Sequence, residues 1–133
     1  MFNKKSYLVA MMLVVLCASA QAKETDSGFT FICHKGLNYT HTEIMYAFKG
    51  FLDEPRPIDN QSLFPQMLKE INYTKERYKK NWDKNFFRRA LFIPRMVNSD
   101  ADVIRWVAAS YAGIGYVHEA PRNNPNVEAC GNR

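Results

Sequence analysis

The sequence predicts an α/β domain in which a small sheet is flanked by about four helices. Two β-favouring runs, residues 29–33 and 113–117, enclose four stretches with the helical spacing of apolar residues. Strands and helices that alternate along a chain favour helices packed on a sheet. The length of 133 residues allows one domain, and the 47% apolar composition excludes collagen-like, low-complexity and disordered classes.

The first 22 residues have the pattern of a signal peptide. Lys4 and Lys5 precede an apolar run at 8–16, and Ala20-Gln21-Ala22 supplies the small-x-small motif of a cleavage site. A membrane span needs about 20 apolar residues, so the run is too short to be an anchor. We therefore expect residues 1–22 to be cleaved and the product to be exported to the periplasm.

The mature chain is then expected to begin near Lys23 with a polar leader over 23–28. Without Lys4 and Lys5 the basic residues number 16 against 13 acidic ones. This mild excess argues against a nucleic-acid-binding protein, which needs a concentrated basic stripe. Lipidation at Cys17 is disfavoured because Leu16, not a small residue, precedes it.

Export leaves two cysteines, Cys33 and Cys130, near opposite ends of the mature chain. An even number of cysteines in an oxidising compartment favours one disulfide. The alternative is a reactive thiol beside His34, but catalysis would not require a second cysteine placed to join the termini. The sequence therefore predicts a Cys33–Cys130 disulfide that brings the two ends together.

Capping patterns fix the order of the elements between the two strands. Thr40 with Glu43 opens a helix that stops at Gly50, and Arg56 to Ile58 is expected to add an edge strand. Three further helices are expected after this strand. One runs from Ser62 to Ile71, the next is capped by Thr74 and has the apolar line Tyr78, Trp82 and Phe86, and the last is capped by Ser99 and has the buried face Val103, Ile104, Val107 and Ala108. Residues 90–93 are an apolar link, and the tail from Pro121 is expected to be loop.

The order of these signals resembles the phosphate-type substrate-binding proteins of ABC transporters. Residues 43–50 are similar to the family's E-L-x-x-I-F-x-G-K segment, and 78–87 to its Y-W-x-x-x-F stretch. Residues 94–102 are similar to P-x-x-V-x-S-D-x-x, and 107–117 to V-A-x-x-P-G-A-I-G-Y-V. The resemblance implies a type II periplasmic binding protein-like domain over 29–120, with 121–133 as a tail tied back by the disulfide.

Two departures from that family limit what the resemblance implies about function. Its members close two lobes on a ligand, whereas a mature chain of 111 residues supplies about one lobe. The family also grips its anion with a Ser-Gly-Thr turn and an arginine, where this chain has Asn60-Gln61-Ser62. Ser62 at a helix start still offers weak anion binding through Asn60, Gln61 and Ser62. A plain helix cap explains the same residue.

The sequence offers little for catalysis or for a metal. His34, His41 and His118 are scattered, and no serine lies in a nucleophile-elbow pattern. We therefore predict no enzyme, no cofactor and no metal, and keep a small periplasmic enzyme using His34 or His118 as the alternative from another class.

Arg105 and Trp106 are the candidate interface. Trp106 stands beside the apolar face of its helix, and half-exposed aromatic side chains next to arginine are typical of protein interfaces. The preferred hypothesis is an exported binding module that acts as a protein-interaction or accessory component for one or more envelope proteins, with a homodimer as a further option. The alternative is weak binding of phosphate, another anion or a small solute linked to a transporter. No second apolar run predicts a membrane span.

Overall fold

The computed structural model describes residues 28–132. The predictions for the signal peptide over 1–22 and for most of the polar leader lie outside the described residues. Within this part of the chain there are six strands: β1 (Thr30–His34), β2 (Arg56–Pro57), β3 (Asp59–Asn60), β4 (Met96–Val97), β5 (Gly113–Val117) and β6 (Val127–Ala129). It also contains four α-helices: α1 (His41–Phe48), α2 (Phe64–Ile71), α3 (Lys75–Arg89) and α4 (Asp100–Ala109). The predicted α/β class, with a small sheet and about four helices, is confirmed.

The main sheet is mixed and has the order β2-β5-β1-β6. β1 runs antiparallel to both neighbours, with Phe31 opposite Tyr116 of β5 and Cys33 opposite Glu128 of β6. β2 joins the other edge of β5 in parallel. A separate parallel pair is formed by β3, which follows β2, and β4, which precedes α4. The two β-favouring runs of the sequence thus form the centre of the main sheet.

Side chains of both sheet faces are buried, as expected when helices cover both sides. On one face an aromatic cluster that includes Phe29, Phe31 and Tyr116 packs against α1, α2 and α3. On the other, Ile32, Val117 and Val127 pack with Val103 and Val107 of α4. Because successive strand residues point to opposite faces, Phe31 and Ile32 serve different clusters.

Three of the four predicted helix starts are confirmed at the level of hydrogen bonds. The fourth is wrong, because the helix expected from Ser62 begins at Phe64, after a 3-10 turn (Gln61–Leu63) that Asn60 caps instead of Ser62. The Thr40 hydroxyl accepts from the Glu43 backbone N–H at 3.1 Å, and the Glu43 carboxylate accepts from the Thr40 N–H at 3.0 Å. Thr74 and Ser99 cap α3 and α4 in the same way, through their hydroxyls. Each cap satisfies a backbone donor that the first helical turn leaves without an intrahelical partner.

Three strands were not predicted from the sequence. The tail, expected to be loop, contributes β6, whose Val127 is buried beside β1. Met96 and Val97 form β4, and its partner β3 is formed by Asp59 and Asn60, just beyond the predicted edge strand. Each of the three has only two or three residues, too few for an apolar alternation to stand out. Their existence depends on pairing with a strand elsewhere in the chain.

The predicted apolar line of α3 is correct for Tyr78 and Trp82 and wrong for Phe86, whose side chain is 46% exposed. Eight residues after Tyr78, the helical turn of about 100° per residue has carried Phe86 well off the buried face. Asn85 and Arg89 take the inward position and donate to the Gly50 carbonyl at 2.9 and 3.0 Å. On α4, Val103 and Val107 are buried as predicted, whereas Ile104 and Ala108 are only partly buried.

Among residues 28–132, no helix is both long enough and apolar enough to cross a bilayer.

Candidate functional site

A buried carboxylate lies at the junction of the two sheets. Asp59 of β3 is 2% exposed and accepts hydrogen bonds from two tyrosines. The Tyr78 hydroxyl of α3 donates at 2.8 Å, and the Tyr116 hydroxyl of β5 donates at 3.0 Å. Each carboxylate oxygen therefore has one donor, which links α3, β3 and β5 through the aromatic face of the core.

Burial dominates the electrostatics of this cluster. Burial raises the pKa of Asp59 to about 7, although the hydrogen bonds from Tyr78 and Tyr116 act in the opposite direction. Burial and the neighbouring Asp59 charge also raise the pKa of both tyrosines well above the ordinary value. The two hydroxyls therefore remain donors, and the carboxyl group is the member of the cluster that titrates in the neutral range.

The predicted anion-binding run continues directly from Asp59. Asn60 is fully buried, and its Oδ1 accepts from the Ser62 backbone N–H at 3.1 Å and from the Ser62 hydroxyl at 2.6 Å. The Asn60 amide nitrogen donates to Asp100 at 2.8 Å and to the Tyr116 carbonyl at 3.0 Å. Gln61 is exposed on the short 3-10 turn (Gln61–Leu63) before α2. Ser62 is exposed, but its hydroxyl and N–H, like the Asn60 amide, already donate to other groups of the same chain.

The Asp100 carboxylate lies next to Asn60. It accepts from the Asn60 amide and from the His118 backbone N–H at 3.0 Å, and the His118 ring Nδ1 lies 2.9 Å from its Oδ2. Partial burial raises the pKa of Asp100, but the bonds from His118 and Asn60 outweigh it and hold the pKa below the usual range. A negative charge therefore already occupies the neighbourhood of Ser62, which disfavours a bound anion there.

The three histidines are dispersed in the structure, as the sequence spacing indicates. His118 pairs with Asp100, His41 lies 3.6 Å from Glu70, and His34 packs against the Tyr111 ring. The Ser62 hydroxyl donates to the Asn60 side-chain oxygen, and none of the three histidines is its hydrogen-bond partner in the described residues. Within residues 28–132, no group of three or more His, Cys, Asp and Glu side chains is arranged to hold a metal ion.

Cys33 and Cys130 lie together at the β1–β6 pair. Both cysteines are buried, both are free thiols, and they lie 2.8 Å from each other. The Cys130 backbone N–H donates to the Phe31 carbonyl at 3.0 Å, which fixes the tail beside β1. The hydrogen bond with Cys33 and burial raise the pKa of the Cys130 thiol. The two ends of the domain meet as expected, and the disulfide itself stays a prediction.

A groove of about 490 Å³ opens between residues 52–57, which include β2, and residues 90–95, which comprise the apolar link, Pro94 and Arg95. Trp82, which is buried, and Trp106, which is half-buried, complete its lining. A second groove of about 480 Å³ adjoins it and is lined by residues 95–98 and by α4. Trp106 and Arg95 belong to both grooves, so the predicted interface residue Trp106 stands between two concave surfaces.

Arginines surround these grooves. Arg56 and Arg95 line the first, and Arg95 and Arg105 line the second. Arg105 forms an exposed ion pair with Asp102 at 3.4 Å. Exposed pairs of this kind contribute little to stability. The predicted pair Arg105 and Trp106 is therefore at the surface, beside a concave apolar lining.

The segment around the link is unusually apolar for a surface. Eight large apolar side chains are exposed in the described residues, and five of them lie between residues 86 and 96: Phe86, Phe87, Phe92, Ile93 and Met96. Phe87 and Phe92 are 84% and 83% exposed. Clusters of exposed apolar side chains are typical of binding surfaces. Sequence reasoning identified 90–93 only as a link, because four residues carry no periodicity that separates Leu91, which packs on the core, from the exposed Phe92 and Ile93.

No protein-family model matches the chain, and no curated protein or solved structure matches it either.

Proposed function

We propose that the chain is an exported, non-enzymatic binding module that serves as a protein-interaction or accessory component of a bacterial envelope assembly. Its partner docks at the two grooves that meet at Trp106. The resemblance to one lobe of a phosphate-type substrate-binding protein supports a binding role, and the signal-peptide pattern supports export. The observation that carries the proposal is the pair of adjoining grooves, with Trp106 and Arg95 common to both.

The chemistry of these grooves suits a protein partner. Tryptophan and arginine are the residues most often found at the energetic centre of interfaces, where an aromatic anchor is surrounded by contacts that exclude water. Here the first groove supplies Leu91, Ile93 and several prolines for apolar contact, and Arg56 and Arg95 for charge-assisted hydrogen bonds. A partner side chain that enters the first groove would contact Trp106 on one side and the link on the other.

The Ser62 region supports this version over anion delivery. Its hydroxyl and amide donors are bound by Asn60, and an Asp100 carboxylate oxygen lies 2.8 Å from the Asn60 amide nitrogen. A phosphate would have to displace these bonds and approach a carboxylate whose pKa is held low. Binding at Trp106 requires no such rearrangement.

Site-specific photocrosslinking in the cells that produce the chain tests the proposal. A photoreactive amino acid replaces Ile93 or Arg105, one in each groove, and the matched control replaces Tyr111, which is 76% exposed and lines neither groove. We expect discrete adducts from the two groove positions, and their loss when Trp106→Ala is introduced. Adducts that persist in Trp106→Ala, that arise equally from position 111, or that fail to form at all would overturn the docking surface.

A further inference from the structure

The exposed face of α3 is basic and ends in apolar side chains. The helix carries seven basic residues and two acidic ones. Its buried side faces the core through Tyr78 and Trp82. Lys80, Lys84 and Arg88 follow one another at intervals of four residues on the exposed side, so they form one line along the helix.

Phe87 completes this face at its C-terminal end. It follows Lys84 by three residues, lies next to Arg88, and has 84% of its surface in solvent. Five residues later, beyond the left-handed cap at Ala90, Phe92 projects with 83% of its surface exposed, at the rim of the first groove. The Phe87 ring packs edge-on against the exposed Phe86 ring at 5.5 Å between centroids, and both Phe87 and Phe92 keep most of their surface in solvent.

We propose that the exposed face of α3, formed by Lys80, Lys84, Phe87 and Arg88, binds an anionic lipid surface, with the exposed Phe92 ring just beyond the helix as a further apolar contact. Lysines and arginines on a helix attract anionic headgroups, each contributing electrostatic attraction near the surface, and protruding aromatic rings enter the boundary between headgroups and acyl chains. The chain would lie on the membrane as a peripheral protein. Phe92 also lines the first groove, whereas Lys80, Lys84 and Arg88 line neither groove, so the charge-reversed α3 variant separates this inference from the proposed partner.

The charge pattern decides between a lipid surface and a second copy of the chain. In a two-fold symmetric dimer the same face of both copies meets, so Lys80, Lys84 and Arg88 of one copy would face the same three cations of the other copy. Like charges at close range disfavour that pairing. An anionic bilayer supplies negative charge over the whole face and an apolar interior for both rings. We therefore assign the face to lipid and leave self-association as an outcome of the test.

Vesicle co-sedimentation with the full chain tests the assignment. The vesicles contain one part phosphatidylglycerol to two parts phosphatidylcholine, and pure phosphatidylcholine vesicles serve for comparison. We expect Lys80→Glu/Lys84→Glu/Arg88→Glu to weaken partitioning onto anionic vesicles by about 100-fold or more. Phe87→Ser/Phe92→Ser should weaken it by about tenfold or more. Binding should also fall as salt is raised, because the attraction is screened.

The controls reverse the same number of charges and remove the same number of aromatic rings elsewhere. Lys35→Glu/Lys69→Glu/Arg122→Glu reverses three exposed cations, and Tyr46→Ser/Tyr111→Ser removes two exposed rings. Both should bind like the wild type, as should the groove variant Trp106→Ala. All chains carry the same apolar run at 8–16, so only the differences between variants report on α3. Circular dichroism establishes that each variant is folded.

Three results would overturn the proposal. One is equal partitioning of the wild type and the charge-reversed α3 variant. Another is equal binding to the anionic and the uncharged vesicles. The third is a dimer in sedimentation velocity that Phe87→Ser/Phe92→Ser abolishes while vesicle binding is unchanged, because the face would then belong to a second copy of the chain.

Discussion

Asp59 and Tyr116 lie 57 positions apart in the sequence and are joined by a buried hydrogen bond of 3.0 Å. With the second donor, Tyr78 at 2.8 Å, the bond connects a carboxyl group to the aromatic core through two neutral hydroxyls. Within residues 28–132, no basic side chain donates to either oxygen of Asp59. Neutral donors compensate burial only in part, so the charged form of Asp59 is disfavoured in the folded protein.

The first prediction is that stability falls as pH rises from about 4 to about 7. Burial raises the pKa of Asp59 from 3.8 to about 7, so the folded state holds a proton that the unfolded state has released. The resulting stability is complete below pH about 4 and is lost as pH rises to about 7, by up to about 4 kcal/mol. Urea unfolding of the wild type and of Asp59→Asn from pH 4 to 8 measures this loss. We expect the two chains to be similar near pH 4 and the Asp59→Asn variant to be the more stable at pH 8.

Other titrating groups are common to both chains, so the difference between the two curves isolates Asp59. Asp83→Asn, a change at a partly exposed position of α3, serves as the control and should track the wild type. Parallel curves for the wild type and Asp59→Asn would contradict the prediction.

The second prediction concerns the close approach of α4 to β5 at Gly115. A Cβ atom at this position would lie 2.5 Å from Val103 Cγ1 and 3.1 Å from Ile58 Cγ2. We therefore expect Gly115→Ala to lower the free energy of unfolding by about 1–3 kcal/mol through overpacking. Val103→Ala removes the nearer methyl group, so the double variant should be more stable than the sum of the two single effects predicts.

Urea denaturation of the four chains in this cycle gives the coupling energy. Strictly additive effects would mean that the alanine is accommodated without contact to Val103, and would contradict the packing argument.

Local signals in the sequence predicted much of the fold because they involve neighbours. The Thr40–Glu43 capping box, the caps at Thr74 and Ser99, and the strand at 113–117 all depend on residues within one helical turn or one short apolar run. β3, β4 and β6 could not be predicted because two or three residues carry no periodicity of their own. β3 and β4 are strands only because they pair with each other, and β6 is a strand because β1 lies beside it.

The candidate sites show the same division. The helical spacing of α4 is enough to predict a half-buried Trp106 beside an exposed Arg105. The first groove beside Trp106 could not be predicted in this way, because it forms only where residues 90–95 lie next to residues 52–57 in the fold. Asp59 has the sequence context of a loop carboxylate, and its donors come from 19 and 57 positions away. Nothing in the local sequence indicates those partners. The anion-binding hypothesis for Ser62 likewise had no means of including Asp100, which is 40 positions beyond Asn60.

The third prediction is that Cys33 and Cys130 form a disulfide in the exported protein. The two residues are buried side by side at the β1–β6 pair, so oxidation requires no change in the chain path. Closing a loop of about 100 residues should stabilise the fold by about 4–5 kcal/mol in the chain-entropy model. Mass spectrometry of the mature protein, unfolded and alkylated without reductant, should show no modified cysteine.

Urea unfolding of the oxidised protein with and without reductant then measures the contribution of the bond. Two alkylated cysteines in the protein, or equal urea midpoints with and without reductant, would contradict the predicted disulfide. The same mass spectrum reports the N-terminal residue, which we expect to be Lys23.

The last prediction is that the monomer shows no saturable binding of phosphate or sulfate. The Ser62 hydroxyl and N–H both donate to Asn60, and the Asn60 amide donates to Asp100. An incoming anion would therefore replace satisfied bonds and meet the Asp100 carboxylate. Calorimetric titration measures the heat, and the molar mass must be measured in parallel because a dimer would place two such surfaces opposite one another. Saturable binding by the monomer, lost in Ser62→Ala and retained in Ser110→Ala, would restore solute binding as the function, since the intramolecular bonds would then be weaker than those to the anion.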